Sequence, residues 1–370
     1  MLPHLIGIWL MLLLGVTASL GCSRPRPSAS LDVAAYVWQR LWSPELGRAV
    51  MATPPGITAL HVLASEWAGE VRTPTHTVVD VAAMVASRRE VVVVMRMGGT
   101  APLDDILPVQ TVALARAWRE QGVRVVGLEI DHDCATARLP AYRDWLLQLR
   151  TSLPDLPLTI TALPTWLGSP SLPSLAETAD EVVVQVHTIT APHLFDPTQA
   201  RRDLESWSRA TKRGFRVALP TYRARLKDGR WLEADPTVLA RFVADLRDRP
   251  IQGLNGVVWF RLGHPGDPNA WSANALAAVM SGRDLVPRIT PRLVADESGA
   301  LDVVLENKGT VDAEVPSRLA FTGDVEVLDG VQGFFPQGST LMAPMPPRLR
   351  AGDAVVIGFV RGKGISVHVP

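Results

Sequence analysis

The chain has 370 residues, 47% of them hydrophobic and 20% charged, which excludes a disordered or fibrous protein and allows one large domain plus a smaller one. Lysine plus arginine number 37 and aspartate plus glutamate also 37, so no excess of charge points to nucleic acid or an acidic polymer as partner. Two cysteines, Cys22 and Cys134, are too few for a disulfide framework.

The first element is a targeting signal. The uninterrupted apolar run Leu5–Val16 falls short of the roughly 20 residues of a membrane span and suits a signal-peptide core. "ASLGC" follows, and small residues before a lone cysteine resemble a bacterial lipobox, with Cys22 as the lipidated new N-terminus. Residues 1–22 are therefore expected to be a signal peptide and residues 23–30, "SRPRPSAS", a flexible tether. The expected location is the cell envelope, anchored in a membrane on its periplasmic side, or secreted if the lipobox is not used.

From Leu31 to about Asp284, short β-rich runs alternate with helical stretches. The predicted strands are Val33–Gln39, Ile57–Ser65, Glu90–Met97, Val123–Asp131, Leu158–Pro164, Glu181–Thr188, Phe215–Thr221 and Gly256–Leu262. Helical segments lie between them, one opening near Pro108 and closing at Gly122. Eight strand–helix units in some 250 residues are the rhythm of an α/β protein of the (β/α)8 TIM barrel type. No glycine-rich phosphate loop follows a strand, and "MGGT" after the third is too short to be one, so no nucleotide cofactor is expected. After Pro287 the texture becomes purely β, with turns at "ESG" and "NKG", and residues 287–370 are expected to form a small β-sandwich.

Alternate residues of a strand share a face, so the fourth strand aims Glu129, Asp131 and Asp133 one way. In a barrel that way is inward, and groups at C-terminal strand ends line the site. Arg96, Gln185, His187, Tyr222, Trp259 and Arg261 read as inward groups on other strands, with Glu66 at the end of the second. The first strand is ambiguous between Tyr36/Trp38 and Val37/Gln39. Aromatic rings beside carboxylates suit a sugar cleft, where flat apolar sugar faces stack on rings and hydroxyls bond to charged groups. Paired carboxylates suit glycoside cleavage, and crowding raises the pKa of one of them. The opposing reading is framework: Arg96 and Arg261 are equally placed to neutralise Glu129 and Asp131 in a closed network, because a buried charge needs a partner. Depth grades the three acids, with Glu129 expected as support, Asp131 intermediate and Asp133 nearest the mouth. His132 and Asp133 are adjacent, but no second histidine completes a ligand set, so no metal is expected.

The fourth strand resembles the strand signature of chitinase-like glycoside hydrolases, D-G-x-D-x-D-x-E. Val126 takes the first Asp, Gly127 the Gly, Glu129 and Asp131 the next two Asp, and Asp133 the Glu. The proton donor of that family is the Glu, and Asp133 is one methylene shorter. "AYVWQRLW", "LHVLASEW", "GLEIDHDCAT", "LPTWL" and "VVWFRLG" together resemble the bacterial domain-of-unknown-function 3142 family. That resemblance implies an envelope protein with a barrel related to glycoside hydrolases and supplies no established activity. Two functions are expected from the residues. One is a lipid-anchored glycan hydrolase with Asp133 as acid/base, Asp131 tuning it and Glu66 as second carboxylate. Trp38, Tyr222 and Trp259 would hold sugar, while Glu129, Arg96, Gln185, His187 and Arg261 orient groups. The other is a non-catalytic glycan-binding or scaffold protein on the same barrel.

Overall fold

The structure, a computed structural model, describes residues 30–370 except 69–73, 152, 154, 190–191 and 296–298. The expected signal peptide and most of the tether, with Cys22, lie outside the described residues. Eight parallel strands close on themselves: β1 Asp32–Val37, β2 Ala59–Trp67, β3 Glu90–Met97, β4 Arg124–His132, β5 Leu158–Ala162, β6 Glu181–Gln185, β7 Phe215–Pro220 and β8 Leu254–Phe260. β1 pairs in parallel with both β2 and β8, which removes the open edges of the sheet. A helix follows each strand: α1 Pro44–Met51, α2 Val81–Ser87, α3 Ile106–Glu120, α4 Leu139–Thr151, α5 Leu172–Ala176, α6 Pro197–Ala210, α7 Pro236–Asp248 and α8 Ala273–Ser281. The barrel expectation thus holds, and α3 starts two residues before Pro108, at Ile106.

The strands form where β-branched residues run, as in "EVVVVMRM" of β3, whose Val91, Val93 and Met95 pack outward against the helices. Several helices begin on a repeated local code. Ser43, Asp196 and Asp235 accept backbone N–H groups at the starts of α1, α6 and α7, and a proline with pre-set φ follows each. These caps end the βα loops sharply, and those loops rim the mouth of the barrel.

Inside, the barrel is filled low down by Ala34, Ala59, Val94, Val183, Ala218 and Val258. The outer core between sheet and helices is a separate and larger apolar cluster. A third core belongs to the C-terminal part, where Val303, Leu305, Leu319, Phe321, Leu341 and Ile357 are buried together. There a six-stranded antiparallel sheet, dominated by Arg318–Gly330 paired with Ala354–His368, adjoins a two-stranded pair, Ala313–Glu314 with Arg348–Leu349.

Candidate active site

The parallel register sets Glu66, Arg96 and Asp131 side by side on β2, β3 and β4. An irregularity between Leu63 and Ser65 shifts β2 by one residue, so His61 faces inward while Ser65 reaches out to Thr111 on α3. Without that shift, Glu66 would fall on the helix side.

The three acids of β4 meet three environments. Glu129 is fully buried on the barrel floor; Tyr36 donates to it at 2.6 Å, His61 Nδ1 lies 2.5 Å away and Thr161 donates at 3.3 Å. With its oxygens so engaged, Glu129 does not border the cleft above and serves as framework. Burial, then the Glu129 charge, pushes the Tyr36 hydroxyl well above the usual tyrosine range, so it stays a donor.

Asp131 is buried but borders the cleft. Burial first, then the neighbouring Asp133 and Glu129 charges, push its carboxyl up to about 8, against the opposing pull of Arg96 and Thr161. Asp131 therefore keeps its proton at neutral pH. Asp133, one residue past the strand, has a side chain 41% exposed at the mouth. Arg96 touches both acids loosely, 3.6 Å from Asp131 and 3.8 Å from Asp133, while its short contact, 2.5 Å, goes to Glu66. The pair is thus not locked in a closed ion network.

The loop "MGGT" has a structural use. A side chain on Gly99 would stand 2.6 Å from the Asp133 carbonyl oxygen, and one on Gly98 2.7 Å from that of Ala68. Glycine lets the β3 loop press against the backbone that carries Asp133, and Arg138 donates to the Gly99 carbonyl at 2.6 Å.

A cavity of about 700 Å3 opens over these acids. Arg96, Gln185, His187, Tyr222 and Trp38 line it, together with Asp131 and Asp133. The ambiguity of the first strand resolves toward Tyr36 and Trp38. Burial pushes the His187 imidazole down to about 4, so it is neutral at physiological pH, with Nδ1 3.3 Å from the Ala218 carbonyl. That bond puts the proton on Nδ1 and leaves Nε2 an acceptor. Tyr222, pushed up to about 12 by burial, keeps its proton.

Besides Glu129, which as framework orients no substrate group, three expected residues stand elsewhere. Trp259 points outward, packed 6.2 Å from Trp271 in the outer core, and Phe260 takes the cleft position instead. Arg261 turns to Asp267, with its Nε at 3.0 Å, and does not border the cavity. Glu66 is held by Arg40 at 2.5 and 2.7 Å and by Arg96, also outside the lining. Hydrogen bonding from Arg40 holds its carboxyl below the usual range, which makes it a permanent counter-ion rather than a proton donor. Sequence reasoning missed the far wall, built by His193, Asp196, Gln199 and Asp203. Asp196 caps α6, and Gln199 and Asp203 follow at helical spacing, with Gln199 donating to Asp203 at 2.8 Å; the spacing marks a shared helix face but not that this face overlooks the cleft.

Comparison with known proteins agrees with this architecture. Residues 87–265 match the family model described as Domain of unknown function (DUF3142), and residues 291–363 match Domain of unknown function (DUF8456). The resemblance read from the sequence is borne out over the first of these spans. Among solved structures, a chitinase from Bacteroides thetaiotaomicron is similar with a TM-score of 0.51 at 13% identity, covering 68% of this chain and 97% of that one. The spore cortex-lytic enzyme SleL from Bacillus cereus gives 0.49 at 12% identity, covering 70% and 75%. The SleL enzyme from Bacillus megaterium QM B1551 gives 0.48 at 13%, covering 70% and 76%. At such identity the Bacteroides likeness is one of fold alone, that of a TIM barrel. No curated protein matches the chain.

Proposed function

We propose that this protein binds a glycan in the barrel-mouth cleft and hydrolyses a glycosidic bond there, held to a membrane by lipid on Cys22. One observation carries the catalytic part: Asp131, buried and with its carboxyl pushed upward, and the exposed Asp133 line the same open cleft, both within reach of Arg96. Asp131, its carboxyl pushed up to about 8, is the proton store behind Asp133 and passes its proton outward to it. Asp133 delivers that proton to the leaving glycosidic oxygen as the bond to the anomeric carbon breaks. Water then supplies hydroxide to that carbon and returns a proton to the pair, so atoms and charge balance. Trp38, Tyr222 and Phe260 present ring faces and edges to the sugar, while Gln185 and the free Nε2 of His187 are placed for its hydroxyls.

A second reading, binding without cleavage, is favoured by Asp133 standing where the chitinase-like pattern has Glu. A carboxyl set back by about 1 Å forfeits much of its positional advantage. The experiment that decides uses the purified chain on a broad glycan panel, beside Asp133→Asn. Cleavage by the parent, lost by about 100-fold or more in Asp133→Asn with binding retained, is the expected result. Binding by both and cleavage by neither establishes the second reading.

The anchoring part rests on the lipobox-like "ASLGC". Cys22→Ser is expected to move the mature protein from the membrane fraction to the soluble fraction; an unchanged distribution rules out the lipid.

A further inference from the structure

Beside the main cavity lies a second one of about 250 Å3. The two share His193 and Leu194, so they adjoin across one stretch of the loop between β6 and α6. The outer wall of the second cavity includes Trp231, which is 45% exposed. Among the described residues it is the exposed tryptophan; the others are buried or half-buried.

This ring is exposed yet held. Trp231 sits on a short hairpin between β7 and α7, in which Trp231–Glu233 pairs antiparallel with Arg223–Arg225. The Arg223 guanidinium lies 4.4 Å from the ring centroid, and its Nε donates to Asn269 at 3.3 Å. Leu232 is buried beneath, and Glu233 is paired with Arg348 from the C-terminal part. One face of the indole is therefore covered by a fixed cation, and the rest remains open to solvent beside a cavity. A rigid open aromatic surface is already organised for a flat apolar partner and loses little entropy on meeting one. In an aqueous cleft lined by carboxylates and hydroxyl-binding groups, that partner is the apolar face of a pyranose ring.

We infer that the second cavity is a sugar subsite in which Trp231 stacks on a pyranose distant from the one at Asp133. The inference rests on the reading of the main cleft as a glycan site and adds its substrate class: an oligosaccharide long enough to pass His193 and reach Trp231, rather than a mono- or disaccharide. Nothing in the main cleft requires such length.

The test measures binding of the full chain, Trp231→Ala and Trp231→Phe to oligosaccharide ladders from dimer to octamer. The ladders are chitin, partly deacetylated chitin, peptidoglycan glycan strands, cellulose, xylan and starch. Calorimetry gives affinity, and circular dichroism with Tm checks the fold. On a ladder the parent binds, Trp231→Ala should lose about five- to tenfold on the longest members and nothing on the shortest, with Trp231→Phe close to the parent. Should Trp231→Ala not fold, Trp231→Thr suits the hairpin strand and takes its place. Equal loss at every length, or loss at none, overturns the subsite and leaves the glycan reading standing. Binding of no ladder by the parent overturns the glycan reading, and the subsite with it.

Discussion

Glu129, Asp131 and Asp133 alternate along β4, and their period in the sequence was enough to order them by depth. What the period did not contain is the neighbours. Tyr36 and His61 come from β1 and β2, about 93 and 68 residues away, and they make Glu129 framework. Asp131 has no such satisfied surroundings, and its retained proton has a consequence for stability. An unfolded chain releases an aspartate proton near pH ~4. The folded chain holds it to about 8. Between these values the folded state binds more protons, so folding stability falls as pH rises through that window and levels off above it. Asp131→Asn cannot ionise and should lose this slope. Thermal melts at pH 5 and pH 8 are expected to show a larger drop in Tm for the parent than for Asp131→Asn. Cleavage by the parent should fall above about pH 8 as Asp131 loses its proton. Equal Tm drops in parent and variant would mean that Asp131 is ionised in the fold.

At the scale of elements, the strands were legible wherever one face was polar. β4 and the end of β6 gave their inward sides correctly, because an acid or a glutamine every second residue marks a phase. β8 did not. In "GVVWF" both phases are apolar, and the inward choice fell on Trp259 when Phe260 is the inward ring. The far wall on α6 was hidden for a different reason: which helix face overlooks the cleft depends on how α6 docks, which local pattern does not encode. The β8 phase can be checked by separating the neighbours. Trp259 is 1% exposed in the outer core, so Trp259→Ala should cost about 3–5 kcal/mol of stability by denaturant titration. Below its melting point, that variant should bind glycan like the parent. Phe260→Ala opens space toward the cleft and should weaken glycan binding more than it weakens the fold. The reverse assignment of effects would restore Trp259 to the cleft.

Across the whole molecule, the C-terminal sheets grip the βα loops at the mouth of the barrel. Asp312 is the centre of that grip: its two oxygens accept from Ser272 N–H at 2.8 Å, at the start of α8, and from Ala351 N–H at 2.9 Å. Arg350 donates to the carbonyl of Asp267, whose carboxylate holds Arg261, the residue after Phe260. Arg348 pairs with Glu233 on the hairpin that carries Trp231. None of this was legible from "GTVDAEV", where Asp312 reads as an ordinary turn acid; only packing against the barrel brings Ser272 N–H to it beside Ala351 N–H from its own part. An exposed ion pair such as Arg292–Glu306 contributes little, about 0–1 kcal/mol. Removing the 8%-exposed Asp312 carboxylate instead strands two backbone donors, at about 1–3 kcal/mol each. Asp312→Ala should therefore lower stability by roughly 2 kcal/mol or more, against almost nothing for Glu306→Ala. Calorimetry adds the decisive readout. If the grip couples the two parts, the parent unfolds in one transition and Asp312→Ala in two, with the barrel mouth loosened and glycan affinity reduced. Two transitions in the parent, unmoved by Asp312→Ala, would make the C-terminal sheets an independent passenger on the barrel.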